Sequence, residues 1–225
     1  MSRAIKGLLI KDFKLMKSQM KFFFIIMIVW GIVMAGSIGG SGASFLVGYT
    51  AVLCAFLTIS TFSYDEFENG TAYLFTLPFH RKDYVSEKYL FGFLISTLPT
   101  IMIGMILWIV HSVQGKADHF GVYFLNVAVS LPMAYLLLAL EIPLMVRFGQ
   151  EKSRLVSVAM VGSTAAGFGI IRYLNELAGV DSMAAVSSIA GLDTGILVLI
   201  VSAVLAALLL VSYKISCRFM EKKQF

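Results

Sequence analysis

Charge is scarce in this chain. Only 14% of its residues are Asp, Glu, Lys or Arg, where an ordinary soluble domain carries about 25%. Cysteine is scarcer still, with Cys54 inside an apolar run and Cys217 in the C-terminal tail. The two stand at different membrane depths, so no disulfide between them is expected. His80, His111 and His119 are scattered, and no Cys or His spacing reads as a metal site. There is no G-x-x-x-x-G-K-S/T, hence no phosphate-cradling loop in the chain itself. H-E-x-x-H and G-x-S-x-G are missing too. An intramembrane protease or acyltransferase usually needs paired polar residues at one depth, and none is evident. We therefore expect no catalytic residue and no metal in this chain. We find no low-complexity tract and no clear internal repeat.

What the chain has is apolar surface. Hydrophobic residues make up 59% and the mean hydropathy is +0.87, which marks an integral membrane protein. Long apolar runs without period-two alternation point to helices rather than a barrel. The expected fold is all-α, one transmembrane domain over 1–225 with six spans, at about 22–38, 45–62, 89–110, 120–146, 155–171 and 195–216. Pro99 lies inside the third, and Pro132 should kink the fourth. A signal peptide competes for the first span, but its apolar run is long and its basic lead is a 21-residue amphipathic stretch. The +5 net charge is not a nucleic-acid signal; its placement reports topology. Sixteen of the eighteen bases fall in 1–21, 64–88, 147–154 and 214–225, leaving only Lys116 and Arg172 outside. Positive charge gathers on the cytosolic side, so both termini are expected in the cytosol of a cell (plasma) membrane.

Residues 1–21 read as an amphipathic surface helix, with Ile5, Leu8, Leu9, Phe13, Met16 and Met20 against Arg3, Lys6, Lys11, Lys14, Lys17 and Lys21. Asp12 breaks the pattern by falling in the apolar arc. Either the helix end is wet there, or Asp12 bridges to a base of the central segment, with Arg81 or Lys82 the candidates. Glu141 is the one carboxylate inside an apolar run, close enough to the 147–154 turn to pair with Arg154 or a tail lysine; a place in a proton or substrate path is the other reading. Small residues at four-residue spacing, Gly36/Gly40, Ser163/Gly167 and Gly191/Gly195, permit close helix approach. With Gly162 and Gly169, they make span five the candidate dimer contact. Asn126, Ser130, Ser96, Thr97 and Thr100 are candidates for hydrogen bonds between helices.

The stretch that organises the chain is 64–88. Five acids and three bases keep it out of hydrocarbon, while its middle is apolar. Ser63-x-x-Glu66 has capping-box spacing, so a helix start is expected there. Asn69-Gly70 marks a turn. Residues 71–77 can form two helical turns with Leu74 and Leu77 on one side. Pro78 disfavours helix before it, and a new helix should begin near Arg81. This makes a short cytosolic helix between spans two and three, either a lever moved by a partner or a simple anchor for the loop.

Three stretches carry a resemblance: LLIKDFKLMKSQ (8–19), YDEFENGTAYLFTLPFHRKDYVSEKY (64–89) and EIPLMVRFGQEKSRLV (141–156). Together the chain resembles a small six-span permease of the ABC-2 exporter class, similar to those that export amphipathic peptides such as phenol-soluble modulins and to bacteriocin self-protection permeases. The resemblance implies a bacterial protein. It also implies a separate ATP-binding subunit in two copies, which would hold ATP and Mg, and a second permease chain, identical or homologous, sharing the bilayer. It makes 64–88 the coupling helix, with Asp65, Glu66, Asn69, Gly70, Leu74, Leu77, Pro78 and Arg81 its interface. Asp12 and Glu141 with Arg154 become electrostatic latches, and 172–194 an extracellular gate. An ATPase-independent pore of holin type, or a membrane anchor for a partner protein, are the alternatives from other classes.

Overall fold

The computed structural model describes residues 3–35, 40–67, 70–113, 120–178 and 194–222. All regular structure among them is helical: α1 (Arg3–Ala35), α2 (Gly40–Glu66), α3 (Gly70–Leu74), α4 (Arg81–Val113), α5 (Phe120–Ala178) and α6 (Thr194–Lys222). Among the described residues, four helical stretches are long and apolar enough to cross a membrane: Ser44–Glu66, Arg81–Val113, Phe120–Gly149 and Ser202–Lys222. The expected first and fifth spans lie in α1 and in the later part of α5, mostly where side chains fall outside the described part, and residues 179–193 of the expected gate lie outside it altogether.

Two expectations change. The surface helix and first span are one unbroken helix, α1. Ser63 starts nothing, because α2 runs through it to Glu66; the capping-box spacing is satisfied inside a helix that already has its hydrogen bonds. The true start signal is at α4. His80 N–H donates to the Asp83 carboxylate at 3.2 Å, so the acid in the first turn takes up a backbone donor just ahead of the helix.

α2 packs against α5, α4 and α1. Ala51, Ala55 and Ala134 are fully buried in the core, and small side chains let backbones approach closely. A methyl added at Gly104 would stand 2.7 Å from Val127, and one at Gly92 would stand 3.0 Å from Leu138 and 3.1 Å from Thr58. These contacts lock α4 onto α5 and α2. Outward, Ile101, Met105, Phe124, Val129, Met133 and Leu210 are exposed, as helices bathed in lipid require.

Interhelical hydrogen bonds add specificity. Ser44 bonds Asn126 at 3.0 Å, and Thr97 bonds Tyr135 at 2.6 Å. Ser130 and Thr100 instead bond back to carbonyls of their own helices, and the Ser96 hydroxyl has no hydrogen-bond partner among the described residues. Pro143 has no N–H to offer the Ala139 carbonyl four residues earlier. The Ser212 hydroxyl of α6 donates to that carbonyl. With its proton committed, Ser212 accepts from Tyr89 of α4 at 2.6 Å. One proline-freed carbonyl thus ties α4, α5 and α6 together.

α5 breaks at Gly149, whose φ is 73° and ψ 178°. Side-chain-bearing residues avoid that conformation. Space is tight as well: a methyl there would sit 3.2 Å from both Glu66 carboxylate oxygens, which would have to shift. The end of α2 therefore lies against the break in α5.

Candidate functional site

α4 spans 33 residues, about 50 Å at 1.5 Å per residue, against a hydrocarbon core of about 30 Å. One end must project, and its charged start is that end. Here α1, α2 and α4 meet in a buried knot of charge. Asp12 and Lys88 are fully buried. The Lys88 ammonium has three donors, and they meet Asp12 Oδ2 at 2.5 Å, Asp65 Oδ2 at 2.8 Å and Thr61 Oγ1 at 2.9 Å. Asp65 also takes the Tyr84 hydroxyl at 3.0 Å and pairs with Lys11. Lys11 Nζ stands 3.1 Å from Asp12 Oδ1, an ion pair without hydrogen-bond geometry. The rings of Phe62 and Tyr84 lie 4.9 and 5.3 Å from the Lys88 nitrogen, a further attraction for a cation. Glu87 is fully buried beside these groups, and neither of its oxygens has a hydrogen-bond partner among the described residues.

Burying charge costs several kcal/mol per ion, by a rough account, unless pairing and hydrogen bonds offset it. The knot meets that condition for Lys88 and Asp65. It holds no nucleophile beside a base, so its capacity is mechanical: three helices cannot slide past one another without exposing an unpaired charge.

Asp12 thus has a partner in the central segment, but it is Lys88 and not Arg81 or Lys82. Those two face the C-terminal helix. Arg81 donates to the carbonyls of Met220 at 3.2 Å and Glu221 at 2.9 Å, and Lys82 pairs with Glu221 at 3.1 Å. The last carbonyls of a helix lack intrahelical donors and favour a cation, which is why the guanidinium settles on the end of α6.

The other candidate interface residues divide. Asp65 faces inward, only 6% exposed, and Leu74 is buried in the core with Phe62 and Tyr84. Leu77 and Pro78 are exposed, so Leu74 and Leu77 do not share a side; α3 ends at Leu74 and turns follow. Gly70 abuts Asp65, since a methyl there would lie 2.9 Å from the Asp65 carbonyl oxygen. Asn69 lies outside the described residues, as do the side chains of Arg154, Gly162, Ser163 and Gly167. Glu141 is half-buried.

Sequence reasoning missed the roles of Lys88, Lys11, Thr61 and Tyr84. A signal was present. Tyr84, Phe91 and Ile95 lie on one buried face of α4, and Lys88 falls in that stripe at helical spacing. Also unremarked were Phe67 and Tyr73, which are 69% and 74% exposed beside Leu77 at 45%. The charged end of the bundle therefore presents apolar side chains outward.

A search of curated proteins found no match, and neither did a search of solved structures. A family model described as "ABC-2 family transporter protein" matches residues 7–221. That span takes in the knot, the exposed apolar turn and every described helix almost end to end, and this multi-pass membrane protein belongs to the ABC-2 transporter family.

Proposed function

We propose that the chain is the non-catalytic permease subunit of an ATP-driven exporter, one membrane domain with six spans and both termini in the cytosol of a bacterial cell. Two copies of a separate ABC subunit bind and hydrolyse ATP with Mg, and two permease chains share the pathway. Membership of the family supports the ABC partner. The observation that carries the coupling assignment is the outward display of Phe67, Tyr73 and Leu77 directly beside a knot that spans three helices. Apolar and aromatic side chains anchor interfaces, and the knot behind them passes a push on 64–88 into α1, α2 and α4 together.

In this reading Leu77, Pro78, Tyr73 and Phe67 touch the motor, with Glu66, Asn69 and Gly70 shaping the turn. Asp65 and Asp12 transmit from inside. Arg81 links the segment to α6, and Glu141 with Arg154 forms a second latch. Gly162, Ser163 and Gly167 pack the permease dimer, and 172–194 gates the exit. The cargo is an amphipathic peptide, exported or expelled for self-protection. That cargo is what the chain's general resemblance to peptide-exporting permeases within the class suggests.

The test is a cysteine at position 77, crosslinked to a candidate ABC ATPase, the first choice being any P-loop ATPase that genome sequencing finds encoded beside this gene. The native thiols Cys54 and Cys217 are buried, so background labelling is low. A crosslink that changes with ATP is expected. No crosslink and no co-purification from a well-folded permease would leave a pore without a motor as the better account.

A further inference from the structure

A groove runs between the first part of α5 and α6. One chamber, about 380 Å³, is lined by Leu136, Leu140 and Leu144 on one side and Leu208, Val211 and Ile215 on the other. It ends at Arg147, Phe148 and Phe219. A second chamber of about 400 Å³ continues it towards Val129 and Val204, sharing Leu136 and Leu208.

Three observations restrict the occupant. The Arg147 guanidinium lies 4.9 Å from the ring centres of both Phe148 and Phe219. It is exposed, and no carboxylate among the described residues pairs with it. The groove is otherwise apolar except for Ser212, whose hydroxyl is already committed to Ala139 and Tyr89. An extended peptide would bring backbone N–H and C=O groups with nothing to meet them at membrane depth. Finally, Leu136 to Arg147 covers about 17 Å of helix, close to the roughly 15 Å of one leaflet of hydrocarbon. Lys214 and Arg218, exposed and four residues apart on α6, add positive charge at the same end.

We infer that this groove holds one anionic glycerophospholipid, its acyl chain along α5 and α6 and its phosphate on Arg147. The two rings beside the guanidinium attract it as a cation, and its fork of N–H donors suits bidentate contact with phosphate oxygens. On the orientation proposed above, the lipid belongs to the inner leaflet; retention itself depends on neither orientation nor motor.

The test is native mass spectrometry of the full-length protein, purified with equal phosphatidylglycerol and phosphatidylcholine of the same chains. One phosphatidylglycerol should remain per chain, in preference to phosphatidylcholine. Arg147→Gln should reduce that retention roughly tenfold, the loss of one charge-assisted contact. Val211→Trp fills the groove from an exposed position and should abolish retention with Arg147 still present. Lys152→Gln removes an exposed charge on the same inner turn, outside the groove, and should change nothing. Equal retention of the two lipids would overturn the assignment. So would equal loss in Lys152→Gln, or full retention in Val211→Trp. Retention unaffected by Arg147→Gln but coupled to loss of dimer would assign the groove to a second copy instead. Because the readout needs no ATPase, its failure leaves the exporter reading standing, and the failure of that reading leaves this one standing.

Discussion

The segment between α2 and α4 has two halves that invert the usual rule. Three of the charged residues of 64–88, Asp65, Glu87 and Lys88, are buried, while Phe67, Tyr73 and Leu77 stand exposed. In a soluble loop the charges would face water. Here Asp65 and Lys88 are each tied to another helix on the inside, and the apolar side chains are left facing outward. The difference separates two jobs within one segment. On the proposed reading the apolar side chains meet a partner, while the buried Asp65 and Lys88 fix where the helices behind them must be.

Removing the charge at the centre is the strongest way to break this contrast. Lys88→Met leaves Asp12 and Asp65 buried without their shared partner, which should cost about 3–5 kcal/mol. The thermal unfolding midpoint in detergent should fall steeply, and a midpoint equal to wild type would mean that charge does not hold the inner half. Next in size is Gly149→Ala. A side chain forced into that backbone conformation costs about 1–3 kcal/mol, and here it also presses on Glu66; the same unfolding assay reads it. The smallest expected effect on stability is the sharpest test of division. Tyr73→Asp sits on an exposed side chain and should shift stability by no more than about 0.5 kcal/mol, yet abolish stimulation of the partner's ATPase. If Tyr73→Asp unfolds the protein, or leaves coupling intact, the outer half is not the contact surface.

Much of this architecture could be read from residues alone, because lipid imposes simple rules. Long apolar runs had to be helices, and clustered bases had to mark the ends of the bundle. Asp12 in an apolar arc left two readings, a wet helix end or a bridge to Arg81 or Lys82, and the structure pairs it with Lys88 instead. Which base was a question of depth. Arg81 and Lys82 are closer to the turn, but Lys88 lies two turns into α4, on the stripe of Tyr84, Phe91 and Ile95, where only pairing makes a charge tolerable. The exposure of Tyr73 and the burial of Leu74 could not be read, since α3 has only five residues and too short a helix sets no face by periodicity. Gly149 next to Glu66 was likewise invisible. Two turns distant in sequence become one contact only when α2 and α5 pack.

The bond from Ser212 to the Ala139 carbonyl has a consequence for how the protein is made. α6 is synthesised after α5, so for a time the carbonyl freed by Pro143 has no donor. An unmet backbone group in hydrocarbon costs several kcal/mol, by rough estimate. The half-built bundle therefore carries a polar defect that α6 removes on docking. Chains that fail to insert α6 are marked by that defect before they can pair with anything.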